Sequence, residues 1–186
     1  MVRISESAAW CKQHAGKLLA GAALVISSVV VVSTPAGAQV PTCLGLPATI
    51  IGTMGHDILN GTPGNDVIIG LGGDDTINGM GGNDTICGDD GNDRLYGGDG
   101  GDVIMGGNGD DIVVGDNGMD SLDGGAGNDS ISGGSDDDDL RGGDGDDQLW
   151  GDDGSDTFSG GNGNDRCYGG RGRDAADRSC ETRSEM

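Results

Sequence analysis

From Gly52 to Asp177 the chain repeats every nine residues, fourteen times over, with no residue inserted or lost. A register kept for that long restricts the fold to one in which every unit meets neighbours like itself. Gly occupies position 1 and Asp occupies position 6 of every unit, and Gly occupies position 4 of all but one, where Asp136 stands. Position 8 is apolar throughout: Leu59, Ile68, Ile77, Ile86, Leu95, Ile104, Val113, Leu122, Ile131, Leu140 and Leu149, then Phe158, Cys167 and Ala176.

The first six residues of a unit, GxxGxD, are rich in glycine, which permits a tight turn and close approach of carbonyl oxygens to an ion. The last three, xUx, read as a strand, with position 8 on one face and positions 7 and 9 on the other. If each unit makes half a circuit, two units form a coil of eighteen residues. Fourteen units then give seven coils, an all-β parallel β-roll whose position 8 side chains meet inside. One apolar side chain per unit is a thin core. The formal net charge of -22 opposes compaction further, so a cation is expected to hold the loops together.

Stacking by eighteen places Asp66 opposite Asp84 and Asp75 opposite Asp93, along two lines of carboxylates. Oxygen donors without nitrogen or sulfur select a hard cation, and a flexible loop suits calcium better than magnesium, which demands tight octahedral geometry. Up to about twelve such stacked pairs are available. Composition alone, with 41 glycines and one phenylalanine, would suggest disorder, but disordered acidic sequence has no reason to keep phase. The same acidity argues against nucleic acid as a partner.

The pattern GGxGxDxUx, seen in units such as GGAGNDSIS, GGDGDDQLW and GGNGNDRCY, resembles the RTX nonapeptide repeats, the haemolysin-type calcium-binding repeats. The resemblance implies a β-roll that is disordered until calcium arrives. It also implies ligands at position 6 (Asp66, Asp75, Asp84, Asp93, Asp102, Asp111, Asp120, Asp129, Asp138, Asp147, Asp156 and Asp165), helped by loop carbonyls and by Asp or Asn at position 3. The position 3 candidates are Asp90, Asp99, Asn108, Asn117, Asp144, Asp153 and Asn162. The end units are weaker: the first has Met54 and His56 in its loop, and the last has Arg171 and Arg173, which favours a capping role for Asp174. The run Asp136 to Asp139 costs the tenth unit a loop glycine and puts its site in question.

Residues 1–38 read as a secretory leader. Arg3, Lys12 and Lys17 precede the apolar run Leu18 to Val32, and Ala36-Gly37-Ala38 offers a cleavage site. A membrane anchor is the rival, but fifteen helical residues span only about 22 Å, short of a hydrocarbon core near 30 Å. Cleavage would leave Cys43, Cys87, Cys167 and Cys180, an even number outside the cytoplasm, which suggests disulfides. Three pairings are possible. Position favours Cys167 with Cys180 at the C-terminal end and Cys43 with Cys87 tying the lead-in, residues 39–51, to the fourth unit. Within that lead-in Thr49-Ile50-Ile51 reads as one further strand, and 178–186 read as a polar tail or cap.

No catalytic site is expected: His56 has no nucleophile spaced to work with it, and no acidic run carries the closing Glu of an EF-hand. RTX toxins and proteases carry an effector domain ahead of the repeats and a C-terminal export signal, whereas here the export signal reads as N-terminal. The expectation is a secreted, non-enzymatic chain folded by calcium, with site affinity of about 0.1 to 1 mM and no membrane span once the leader is removed. The alternative is a calcium-rigidified structural or adhesive module, binding a cell-surface, protein or glycan partner. It rests on the outward column at position 9 of the odd units: Asn60, Asn78, Tyr96, Val114, Ser132, Trp150 and Tyr168.

Overall fold

The computed structural model describes residues 40–184. The expected leader lies outside the described residues. A small hairpin comes first, pairing β1 (Thr42–Cys43) antiparallel with β2 (Leu46–Pro47). Two parallel eight-stranded sheets follow, face to face. One stacks β3 (Ile50–Ile51), β5 (Val67–Gly72), β7 (Thr85–Asp90), β9 (Val103–Asn108), β11 (Ser121–Ala126), β13 (Asp139–Asp144), β15 (Thr157–Asn162) and β17 (Ala175–Ala176). The other stacks β4 (Ile58–Asn60), β6 (Thr76–Gly81), β8 (Arg94–Asp99), β10 (Ile112–Asn117), β12 (Ser130–Ser135), β14 (Gln148–Asp153), β16 (Asp165–Arg171) and β18 (Cys180–Ser184). Successive units alternate between sheets, and partners within a sheet are eighteen residues apart, as in Val113 with Ile131 and Leu122 with Leu140. Two units make one turn of an all-β parallel β-roll, and the described residues contain no helix.

The strands are longer than the three-residue xUx reading. Most run six residues, through positions 7 to 9 and on into positions 1 to 3 of the next unit. The glycine-rich start of a unit therefore kinks the strand without ending it: position 2 takes a positive φ, as at Gly107 (123°) and Asp116 (76°), yet Asp116 still pairs with Gly134 and Asn117 with Ser135. The loop proper shrinks to positions 4 to 6.

Position 8 side chains from both sheets form one continuous core from Leu59 to Cys167, extended by Ile50 at one end and Cys180 at the other. A second cluster lies on the outer face of the β3–β17 sheet. There Cys43, Ile51, Ile69, Leu71 and Cys87 pack together under the hairpin, with Val40, Ala48, Val67 and Met105 against them. The hairpin thus covers the stretch of that face where position 9 is apolar. Its two-residue turn, Leu44 and Gly45, has both φ angles positive (52° and 84°), matching the twist of the strands it joins. Both expected disulfides are present: Cys43–Cys87 staples this cover to β7, and Cys167–Cys180 joins β16 to the closing strand β18.

Because Ile104 is fully enclosed, truncating it removes packing that nothing nearby replaces. Ile104→Ala should cost about 2–5 kcal/mol in urea unfolding measured in excess calcium.

Candidate metal centre

Position 1 glycine faces the interior beside the position 8 side chain, and the space it leaves is taken by the position 6 carboxylate of the same unit. A Cβ on Gly115 would lie 2.1 Å from Asp120 Oδ2 and 2.6 Å from the Gly133 carbonyl oxygen; on Gly79 it would lie 2.3 Å from Asp84 Oδ2 and 2.6 Å from the Gly97 carbonyl. Glycine at position 1 is therefore what admits an aspartate to the inner edge of the roll. The carboxylates of Asp75, Asp84, Asp93, Asp102, Asp111, Asp120, Asp129, Asp138, Asp147, Asp156 and Asp165 are all buried.

One oxygen of each carboxylate is committed to the backbone. Oδ1 accepts the N–H of the position 6 Asp one turn earlier, at 2.7 to 3.1 Å, in an unbroken ladder: Asp66 donates to Asp84, Asp75 to Asp93, Asp84 to Asp102, and so on to Asp156 and Asp174. The other oxygen, Oδ2, is buried with no hydrogen-bond partner in every one of these residues from Asp75 to Asp174. A buried ionised carboxylate with one unsatisfied oxygen is costly, so it must bind a cation or take up a proton.

Burial pushes the position 6 carboxyls from Asp75 to Asp156 upward from 3.8, and each is partly restrained by the backbone hydrogen bond it accepts. Asp75, Asp120, Asp129 and Asp138 reach about 7, Asp84 and Asp147 about 6, and Asp111 about 8, with the neighbouring aspartates of the ladder adding to the rise. Asp93, Asp102 and Asp156 are raised for the same reason. Among the described residues no three His, Cys, Asp or Glu side chains converge on one point. A cation here would complete its shell with backbone oxygens, and an oxygen-only set of that kind suits calcium.

The tenth unit, in question because Asp136 replaces a loop glycine, keeps the geometry of the rest. Asp136 adopts φ 80°, a left-handed conformation that Asp tolerates better than most residues, and Asp138 Oδ1 accepts the Asp120 N–H at 2.8 Å. Asp174, in the Arg-bearing last unit, also accepts from Asp156 and keeps a buried, unpartnered Oδ2.

Position 3 residues lie elsewhere. Asp90 is half-buried and Asp99, Asn108, Asn117, Asp144, Asp153 and Asn162 are exposed. They pair along the rim: Asn108 Nδ2 donates to Asp90, Asn117 Nδ2 to Asp99 and Asn162 Nδ2 to Asp144, while Arg171 stands 3.6 Å from Asp153. Asp66 also differs. Its Oδ1 accepts from Thr49 Oγ1, and its Oδ2 accepts both the N–H and the hydroxyl of Thr62.

Sequence reasoning missed a second ladder at position 5. On the odd units it reads Asp74, Asn92, Asp110, Asn128, Asp146 and Asn164, each side-chain oxygen up to Asp146 accepting the N–H of the next residue in the column, with His56 Nδ1 at its head beside the Asp74 nitrogen. The alternation of Asp with Asn, visible in the sequence, keeps like charges two turns apart. These groups are exposed and hydrogen bonds from Asn164 lower the Asp146 carboxyl, the opposite of what burial does at position 6.

Stacked turns, glycine-lined inner edges and a buried oxygen-only ladder define a cation-binding β-roll. The sequence profile of the RTX calcium-binding nonapeptide repeat matches in four copies, at residues 51–86, 88–118, 114–149 and 141–175. The chain belongs to this calcium-binding repeat family. No curated protein sequence matches it significantly.

The raised carboxyls set a direction for pH. Without a cation, the folded roll holds protons that the unfolded chain has lost above pH 3.8, so its stability falls as pH rises from about 4 to about 8 and is level beyond. Calcium competes with those protons, so its apparent affinity moves the other way. The half-saturating calcium concentration should rise by about tenfold between pH 8 and pH 6 in a calcium-electrode titration; an unchanged midpoint would contradict carboxylate ligation.

Proposed function

We propose that this chain is a secreted calcium-binding protein whose roll folds as calcium enters its loops, and that it carries no catalytic domain. The observation that supports this most directly is the unpartnered Oδ2 repeated in every unit from Asp75 to Asp174. The position 6 aspartates from Asp75 to Asp165 are the proposed ligands. Their Oδ1 atoms hold the turn below while Oδ2 is left for the ion, so each ion would join two neighbouring turns. Bound calcium would supply positive charge and oxygen-bridging where the protein otherwise places only negative charge.

Export is supported by the leader-like residues 1–38 and by the two disulfides, which persist in oxidising compartments. A cytoplasm low in calcium would keep the chain loose for transport, and the extracellular medium would fold it. A structural or adhesive role for the folded rod is a second reading. The Trp150 and Tyr168 rings stack on the outward face with centroids 5.6 Å apart, and this favours it by offering a flat aromatic platform.

Circular dichroism of residues 39–186, titrated with calcium and in parallel with magnesium, tests the main reading. Strand signal should appear cooperatively with calcium and not with magnesium. Asp102→Ala and Asp111→Ala should each shift the midpoint to higher calcium, by a few-fold. A spectrum already folded in chelator, or mutants with the original midpoint, would refute it.

A further inference from the structure

The first two loops are built differently from the rest. In units three to fourteen position 2 takes a positive φ, whether the residue is Gly, Leu71, Met80, Asp89, Asp116 or Asp152. Units one and two have Thr53 and Thr62 there, and a β-branched residue is strongly disfavoured in that conformation. Neither threonine has a positive φ, and neither do the position 4 glycines that follow, Gly55 and Gly64. The loop turns instead around the threonine side chain: Thr53 Oγ1 bonds within the loop to Gly55, and Thr62 Oγ1 to Gly64.

The consequence falls on the carboxylate. Asp57 Oδ2 accepts the Thr53 N–H at 2.6 Å and its hydroxyl at 2.8 Å; Asp66 Oδ2 accepts the Thr62 N–H at 2.7 Å and its hydroxyl at 2.8 Å. These are the same oxygen atoms that stand without a partner in all the later units. Asp66 is satisfied on its other oxygen too, by Thr49 Oγ1, in the turn where the ladder has no aspartate to continue it.

We propose that Thr53 and Thr62 stand in for the cation, so that the first two loops bind no calcium and the N-terminal end stays folded when calcium is withdrawn, as a template for the turns that need it. This rests on the calcium reading of the later loops. The covering hairpin, β3 and the Cys43–Cys87 bond all gather at this end, so the two metal-free loops lie where a second apolar cluster holds the roll. Calcium dependence then begins at Asp75. Asp66, grouped with the ligands by its place in the repeat, would hold no ion.

Hydrogen exchange of the full chain with both disulfides intact, read peptide by peptide in chelator and in calcium, tests this. In chelator, amides across 49–69 should exchange at least about tenfold more slowly than those across 100–165, and calcium should protect both. Loss of protection in 49–69 together with the rest, restored by calcium, would overturn the proposal and leave the calcium reading standing. Protection of every segment in chelator would overturn both.

Variants separate the threonines from the disulfide and hairpin beside them. With Thr53→Gly and Thr62→Gly combined, position 2 matches the later units, and protection of 49–69 should become calcium-dependent. With Thr53→Ser and Thr62→Ser, which keep the hydroxyl, it should remain in chelator. Undiminished protection in the double glycine variant would show that the threonines are not the substitute.

Discussion

From Asp75 onward, each unit of this roll carries a carboxylate placed where water does not reach, with one oxygen satisfied by the neighbouring turn and the other left open. The first oxygen gives the fold its register: Asp111 Oδ1 can accept from Asp93 only when turns are stacked eighteen residues apart. The second makes that register conditional, because an ionised and half-satisfied carboxylate in the interior is unstable until a cation or proton arrives. In the proposed function, stacking and ion binding are therefore two uses of one side chain. A net charge of -22, which would disperse an ordinary small domain, becomes in the proposed function the reason for the chain to answer to a cation.

The rest of the repeat follows from making room for that side chain. Position 1 must lack a Cβ because the carboxylate occupies its place, and positions 7 to 9 need only one inward apolar residue to close the centre. The ends, where the repeat has no further copy to stack on, are handled by other means. At the C-terminus a disulfide fixes β18 over β16; at the N-terminus a hairpin, a disulfide and two threonine-based loops replace the missing turn. Solenoids generally need such distinct terminal units.

Much of this was legible in the sequence, since a strict period converts directly into a stacking rule. Asp66 facing Asp84, the position 8 core, the extra strand at Ile50–Ile51 and both cysteine pairs emerge in the structure as the repeat suggests. What escaped was what the period does not encode. Strand length depends on whether a glycine-rich stretch bends or breaks a strand, and here it bends, carrying pairing through to position 3. Asp136 reads as a defect because it costs the tenth loop a glycine, yet Asp tolerates the positive φ required there. The hairpin at Thr42–Pro47 has no repeat to announce it, and Leu44-Gly45 is a weak turn signal. The threonines at position 2 were in plain view, but their effect appears only once the hydroxyl and the carboxylate are seen to share a loop.

Anomalous X-ray scattering from crystals grown in calcium would test the central claim most directly, because it locates the ions independently of the protein's own density. The account predicts two lines of calcium peaks, one along each edge of the roll, each peak adjacent to Oδ2 of a position 6 aspartate from Asp75 onward. An ordered roll in saturating calcium, with those oxygens touching only water or protein donors, would contradict it.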